Sequence, residues 1–258
     1  MTRVFTCMSL IVLTTGLALC QSFEVASIKP SDPQARRTRI GISPGGLFAA
    51  QNVTVKILIQ HAWDVRDFQI SGGPGWLDTE RYDITAKGDG PDVSEDDMRK
   101  MTEVQRNKLE EKYLIKVRAL LADRFQLKVH RETKELPVYA LIVAKGGAKI
   151  RRPTEDGSPG GRLSMRRESA GTEVTGQKAV LAQLVRLLSD QVGRTVVDKT
   201  GLEGSYDFKM SFAPDQPAES DGPSIFTALQ EQLGLKLEAQ KGPVEVLVID
   251  SAQKASAN

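Results

Sequence analysis

Apolar residues recur at helical spacing in four stretches of the chain. Two stretches place them at i, i+3, i+4 and i+7, the repeat that lines one face of an α-helix. A third begins at Ser94, a capping residue with Asp97 three positions later, and ends near Asp123. A fourth follows Pro223 and Ser224. The apolar positions of the four predicted helices are Val55, Leu58, Ile59 and Ala62; Leu181, Leu184, Val185 and Leu188; Val117, Leu120, Leu121 and Phe125; and Phe226, Leu229 and Leu233.

Strand-like alternation separates these helices. The clearest example runs from Tyr206 to Phe212, where four large apolar side chains alternate with polar ones. Residues 138–143 and 244–249 are nearly continuous apolar runs, which is typical of central strands covered on both faces. Shorter apolar pairs predict the start of further strands at Phe68 and Ile70, Leu127 and Val129, and Leu235 and Leu237.

The same order of landmarks occurs twice along the chain. Residues 51–55 lead into a helix, a short strand and then Tyr82-Asp83, and residues 174–177 lead into a helix, a short strand and then Tyr206-Asp207. Each copy continues with one more helix and two strand segments. The repeated unit is therefore strand, helix, two strands, helix, two strands.

We predict an α+β fold built from these internally duplicated units, with antiparallel or mixed sheets and helices on one face. Residues 21–150 and 171–250 form the two repeats, and a pseudo-two-fold axis is expected to relate them. Residues 151–170 are rich in Gly, Pro and Arg and predict a linker or long loop. Its arginines could bind an anionic partner, although a solvated loop is the preferred interpretation. Residues 251–258 are predicted to be a C-terminal tail.

The first 20 residues have the pattern of a secretory signal peptide. Arg3 precedes an apolar run of about twelve residues, which is shorter than the roughly 20 that a membrane-spanning helix needs. We expect cleavage after Cys20, export to the periplasm or the medium, and no membrane span in the mature chain. The alternative is a bacterial lipoprotein signal with the lipid on Cys20, which the bulky Leu19 fits poorly. Because Cys7 and Cys20 are the only cysteines, the predicted mature chain contains no disulfide.

Composition limits the class of partner. The 258 residues are 40% hydrophobic and 26% charged, which indicates a soluble globular chain and excludes disorder. The chain has 35 basic and 33 acidic residues, so its formal charge is only +2. That balance gives no electrostatic reason to expect a nucleic acid, and we predict none as a partner.

Several motifs of this chain occur together in one known family. They are FEVASIKP from Phe23, GPGWL from Gly73, LLADRF from Leu120, ELPVY from Glu135, VDKTGL from Val197, LGLKL from Leu233 and VID from Val248. In this combination, spread over residues 23–250, the chain resembles the soil-associated protein family abundant in acidobacterial genomes, a domain of unknown function. The resemblance implies export, and a domain that in related chains is attached to membrane-embedded sensor metallopeptidases. It implies no catalytic residues. The charged stretch 95–112 departs from the family pattern as an extension of the second helix.

Catalytic motifs are weak. Ser43 lies in a G-x-S-x-G pattern, but the next residue, Pro44, lacks the N–H that an oxyanion hole uses, so a turn before a strand at Leu47 is expected. His61 and Asp64 share a helix and could present two metal ligands, but no third ligand is suggested nearby. His130 is expected on the polar face of its strand with Glu132 as a weak orienting partner. The glycines at 72–75 lack the Lys-Ser/Thr of a phosphate loop and predict a turn between paired strands. We predict no cofactor and no metal.

Two functions remain open from the residues alone. The first is an exported, non-catalytic binding or sensory module of the bacterial cell envelope, with a peptide, glycan or envelope protein held around Trp76, Arg81 and Arg66. The alternative is a secreted hydrolase acting through carboxylates, for which Asp83, Asp207 and Glu132 are candidates. Two of these carboxylates in one pocket, with a raised pKa, would favour the enzyme.

Overall fold

A computed structural model describes residues 22–43, 46–88, 94–153, 161–168, 171–213 and 222–255. Its strands are β1 Val25–Pro30, β2 Arg39–Ser43, β3 Leu47–Thr54, β4 Ile70–Gly72, β5 Arg81–Lys87, β6 Lys128–Val143, β7 Arg162–Glu168, β8 Gly171–Val180, β9 Val196–Asp198, β10 Ser205–Phe212 and β11 Leu235–Ser251. Its α-helices are α1 Val55–Trp63, α2 Trp76–Thr79, α3 Glu95–Lys100, α4 Glu103–Arg124, α5 Leu181–Val192 and α6 Ile225–Ala228. A 3-10 turn covers Asp67–Gln69, and a π-helical turn, Leu229–Leu233, continues α6. The mixture of helices with antiparallel and mixed sheets confirms the predicted α+β class.

Two compact units divide the described residues. The first takes the described parts of Met1–Asp64, Pro74–Lys128 and Ser251–Asn258, and the second takes those of Val65–Gly73 and Val129–Asp250. These units cut across the predicted repeats, because β4 and β6 of the first repeat pair with β11 and β9 of the second. Sheet pairing, which local sequence does not encode, therefore sets the unit boundaries.

The first unit contains a four-stranded antiparallel sheet in the order β1-β5-β3-β2. Helix α1 begins at Thr54, whose side chain accepts a hydrogen bond from the Ile57 amide, and its predicted apolar face is buried. Helix α4 buries Val117, Leu120 and Leu121, and Phe125, which follows its last residue, is buried as well, as the spacing predicts. These apolar faces supply much of the core of the unit.

The second unit contains two sheets. One is three-stranded and antiparallel, in the order β10-β8-β7; the other has the order β4-β11-β6-β9 and contains parallel pairs at both ends. Strand β10 buries Tyr206, Phe208, Met210 and Phe212, which confirms the predicted alternation. Strands β6 and β11 carry the two continuous apolar runs and occupy the central positions of their sheet, as predicted.

The internal duplication stays a prediction, and one part of the predicted unit is corrected. The helices and strands from β3 onward run in the order β3, α1, β4, α2, β5, α3, α4, β6, whereas those from β8 onward run in the order β8, α5, β9, β10, α6, β11. The two final strands predicted for each copy are a single long strand, β6 or β11. Both strands continue through a proline, Pro137 in β6 and Pro243 in β11. The superposition of the two copies and their pseudo-two-fold axis stay predictions.

Three local predictions were wrong. The single helix predicted from Ser94 to Asp123 is interrupted, because Thr102 and Gln105 form a capping box that starts α4 afresh. Part of the predicted linker forms strand β7, which β8 templates through hydrogen bonds. The glycine turn at 72–75 does not join paired strands, since β4 pairs with β11 whereas β5 pairs with β1 and β3.

Two expectations concern residues at the edges of the described ranges. Strand β2 ends at Ser43 and β3 begins at Leu47, as expected for a turn there, while Pro44 and Gly45 lie outside the described residues. The predicted signal peptide also lies outside them, together with Cys7 and Cys20. Among the described helices, none is both long and apolar enough to cross a membrane.

Candidate functional site

Trp76 opens the one-turn helix α2, directly after the glycine turn. Gly72 takes a φ of +78°, and a Cβ there would lie 2.9 Å from the carbonyl oxygen of Ile249, so this position requires glycine. The Leu77 amide donates to the Pro74 carbonyl at 3.1 Å, and the Glu80 amide donates to the Trp76 carbonyl at 3.0 Å. The backbone that carries Trp76 is therefore fixed on both sides.

The Trp76 ring rests on an aromatic support. It stacks on Phe125 with the centroids 6.3 Å apart, and Tyr82 meets Phe125 edge-on at 5.3 Å. Phe125 is fully buried and Tyr82 nearly so, whereas Trp76 is only partly buried. Part of the indole thus stays accessible on a rigid base, the arrangement that suits an aromatic anchor for a ligand.

A carboxylate links this support to the C-terminal segment. Glu80 Oε2 accepts a hydrogen bond from the Tyr82 hydroxyl at 2.9 Å, and Lys254 Nζ contacts Glu80 Oε1. The Lys254 hydrogen bond, followed by that from Tyr82, holds the pKa of Glu80 below its usual value. Burial and the Glu80 hydrogen bond raise the pKa of Tyr82 to about 12. Near neutral pH, Glu80 is therefore charged and Tyr82 protonated, so neither is poised to transfer protons.

A polar cavity lies at Lys254, the partner of Glu80. Its volume is about 250 Å³, and its lining residues are Asp123, Arg124, Gln126, Gln253, Lys254 and Ala255. The Gln253 amide donates to the Phe125 carbonyl at 2.7 Å, which fixes the C-terminal segment against the end of α4. We name the set Trp76, Glu80, Tyr82, Phe125 and Lys254, with this cavity, the Trp76 surface.

The two arginines predicted beside Trp76 both have internal partners. Arg81 is exposed, and its Nη1 donates to the Asn52 carbonyl at 2.9 Å. Arg66 lies in the second unit, where its Nε contacts Asp190 Oδ1 at 2.5 Å. Arg81 therefore adds a guanidinium to the same unit as the Trp76 surface, whereas Arg66 is engaged in a different one.

The recurring aspartates hold backbone bulges. Asp83 Oδ1 accepts from the Asn52 amide at 2.8 Å, and Asp207 Oδ1 accepts from the Lys178 amide at 2.6 Å. Each amide belongs to a residue with positive φ at the point where the strand register shifts. This geometry gives both carboxylates a structural role in their strands. Such a role explains why Tyr-Asp occurs twice in the sequence without requiring catalysis.

His130 has a partner that sequence reasoning missed. Its Nδ1 lies 2.9 Å from Asp250 Oδ1, and its Nε2 lies 3.7 Å from Glu132 Oε1. The hydrogen bond with Asp250 raises the pKa of His130. Lys134 holds the pKa of Glu132 below its usual value, opposite to the raised pKa expected of a general acid. Asp250 is 120 residues away along the chain, and only the alignment of β6 beside β11 brings it close.

Metal-binding geometry is absent from the described ranges. No group of three or more His, Cys, Asp or Glu residues there could hold a metal ion. His61 is exposed in the last turn of α1, and Asp64 ends that helix in the left-handed conformation. The pair therefore serves as the end of a helix in this structure.

Comparison with known families places the chain. A family model described as a protein of unknown function (DUF3738) matches residues 56–252. The chain belongs to the DUF3738 family. The DUF3738 match begins within α1 and runs to the end of β11, so it covers Trp76, Glu80, Tyr82 and Phe125 but not β1 to β3 or Lys254. No curated protein and no solved structure matches the chain.

Proposed function

We propose that this chain is an exported, non-catalytic binding or sensory module of the bacterial cell envelope, and that the Trp76 surface is its ligand site. The observation that carries the proposal is the partly exposed side chain of Trp76, which stacks on buried Phe125, in the same unit as a polar cavity lined by Lys254. An accessible aromatic face next to convergent polar groups is the usual composition of a ligand site.

The chemistry of the cavity indicates the ligand class. Gln126 and Gln253 offer amide groups that both donate and accept, Asp123 offers a carboxylate, and Lys254 offers an ammonium group. Such a lining suits a peptide or a glycan, whose amides and hydroxyls need both kinds of partner and whose apolar faces pack on an indole. Arg124 Nη2 already donates to the Ala26 carbonyl at 2.9 Å, so it shapes the wall of the cavity.

The hydrolase alternative receives less support. It requires two carboxylates in one pocket with a raised pKa, yet Glu132 has a lowered pKa and an exposed position. Asp83 accepts from both Ser31 Oγ and the Asn52 amide, which leaves it committed to the bulge. Binding needs only the partly exposed Trp76 and polar groups near it.

The test measures binding and turnover with the same preparations. The predicted mature chain is titrated with soluble peptidoglycan fragments and with solubilised envelope protein, and is screened against hydrolase substrates in parallel. Trp76→Ala is expected to weaken the strongest interaction about tenfold or more. The control is the double variant His61→Ala and His130→Ala, which is expected to bind like the parent chain. Thermal melts confirm that each variant is folded.

Two results would contradict the proposal. One is unchanged binding by a folded Trp76→Ala variant. The other is a measured turnover that disappears when either histidine is replaced, since that result would make the chain an enzyme.

A further inference from the structure

Strand β7 leaves one side of its sheet open. It is the last strand in the order β10-β8-β7, and it pairs with β8 over Arg162–Glu168. No strand among the described residues lies on its outer side. In such an edge strand, the amides and carbonyls of alternate residues point outward without a ladder partner.

The opposite edge of the same sheet is covered by the chain itself. At β10, the Asp207 amide donates to the Arg151 carbonyl at 2.8 Å, and the Arg151 amide donates back at 3.1 Å. The side chain of Gln232 bonds both backbone groups of Ser211, with distances of 2.9 Å and 2.8 Å. The fold therefore satisfies the edge at β10 with its own groups, whereas no described strand pairs with the outer side of β7.

Strand β7 carries more basic than acidic side chains. Its seven residues include three arginines, Arg162, Arg166 and Arg167, and one acidic residue, Glu168, and all four side chains are exposed. Glu173, the cross-strand neighbour of Arg166, is already engaged by Lys209 at 2.8 Å. Guanidinium groups bind carboxylates through two parallel hydrogen bonds, so this edge is complementary to acidic side chains.

An exposed apolar side chain, Met165, lies on the face of β7 opposite to Arg162 and Arg166. The register places Met165 opposite Val174, which is fully buried, so Met165 projects on the core-facing side of the sheet. It nevertheless remains 44% exposed. A strand added outside β7 would find an apolar contact at Met165 for one of its alternate side chains.

We propose that β7 binds an extended acidic peptide segment of a partner protein by strand addition. Backbone groups of the peptide pair with the outer edge of β7, its carboxylates pair with Arg162 and Arg166 on one face of the strand, and one apolar side chain packs on Met165 on the other face. This second surface goes beyond the proposed ligand site at Trp76 and does not depend on it. The alternative is that the arginines only prevent edge-to-edge aggregation. In that case, blocking the backbone N–H groups of a peptide would not change its affinity.

The experiment uses synthetic peptides on the predicted mature chain. A fluorescent peptide of alternating Glu and Val is titrated by polarisation, beside one with Gln for Glu and one N-methylated at alternate amides. The acidic peptide is expected to bind at least about tenfold more tightly than either. Hydrogen exchange is expected to show new protection in 162–168 when it binds.

Variants separate this edge from general charge. The triple variant Arg162→Gln, Arg166→Gln and Arg167→Gln is expected to lose about tenfold or more in affinity. The matched control replaces the exposed arginines Arg36, Arg37 and Arg39, at and before the edge strand β2, and is expected to keep it. Trp76→Ala is expected to keep it too, which makes failure here distinguishable from failure at the Trp76 surface.

Several outcomes would overturn the proposal. Equal binding of the N-methylated peptide would mean that charge alone acts. Loss of binding in the β2 control but not in the β7 variant would place the contact elsewhere. Binding of a single-stranded RNA or of anionic lipid vesicles as tightly as the acidic peptide would make β7 a general polyanion site.

Discussion

In each of the two antiparallel sheets, an aspartate carboxylate accepts a hydrogen bond from the amide of a bulge residue. In the first unit, the Asp83 carboxylate holds the amide of Asn52, which has a φ of 53°; in the second, Asp207 holds the amide of Lys178, which has a φ of 49°. In both sheets a buried tyrosine precedes the aspartate. The recurrence of Tyr-Asp along the sequence therefore reflects a requirement of the backbone.

The supports around the two bulges differ. In the first, Ser31 Oγ also donates to Asp83, and the side chain of Asn52 donates to the Ala35 carbonyl. In the second, the backbone bridge between Arg151 and Asp207 supplies the support. The first bulge thus depends on side chains, whereas the second depends more on main-chain pairing. This difference makes the first more sensitive to substitution.

The largest effect is expected in the apolar cores of the two units. Leu121→Ala in α4 and Leu229→Ala in the π-helical turn each remove a fully buried side chain. Each is expected to lower the free energy of unfolding by about 2–5 kcal/mol, because a cavity replaces packed atoms. Denaturant titration measures both. A loss below about 1 kcal/mol at either site would mean that the assigned core face is wrong.

The next comparison removes each carboxylate. Asp83→Ala leaves the Ser31 hydroxyl and the Asn52 amide without their acceptor, whereas Asp207→Ala leaves the Lys178 amide. An unsatisfied part-buried group costs about 1–3 kcal/mol, so both variants lose stability and Asp83→Ala loses more. Thermal melts compare the two. The reverse order would refute the stronger dependence of the first bulge on side chains.

A smaller effect separates the two residues with positive φ. Glycine removes the strain of the left-handed region at either position. Asn52→Gly also loses the hydrogen bond to Ala35, so it is expected to be less stable than Lys178→Gly by roughly 0.5–1.5 kcal/mol. Chemical denaturation of the two variants side by side measures the difference. Equal stabilities would show that the side-chain amide of Asn52 contributes nothing to the free energy of unfolding.

The smallest effect appears only at alkaline pH. Since the folded pKa of Tyr82 is raised from 10.0 to about 12, its contribution to stability is full below the unfolded value and is lost as pH rises through the folded one. Between pH 10.0 and about 12, the free energy of unfolding is therefore expected to fall less steeply in Tyr82→Phe than in the parent chain. Melts at neutral and alkaline pH measure the slopes. The control Tyr206→Phe, which retains Tyr82, is expected to keep the parent slope.

Local periodicity was sufficient to predict much of the fold. The buried face of α1, the alternation in β10 and the apolar face of α4 each follow from residues a few positions apart. The restart at Thr102 also had a local signal, since Thr followed three positions later by Gln is a capping pattern.

The features that were missed depend on distant pairing. Lys254 meets Glu80 across 174 residues, and Asp250 meets His130 across 120. Strand β7 has no strong β propensity of its own and forms because β8 pairs with it. Of the candidate site, Trp76 and Arg81 came from the sequence, whereas the cavity and the Glu80 contacts required the fold.

Hydrogen exchange at two amides tests most directly the claim that the recurring aspartates serve structure. The amides of Asn52 and Lys178 are followed in the parent chain, in Asp83→Ala and in Asp207→Ala. We predict that Asn52 loses protection in Asp83→Ala only, and that Lys178 loses protection in Asp207→Ala only. Unchanged protection in both folded variants, together with the loss of a measured hydrolytic activity, would contradict the account.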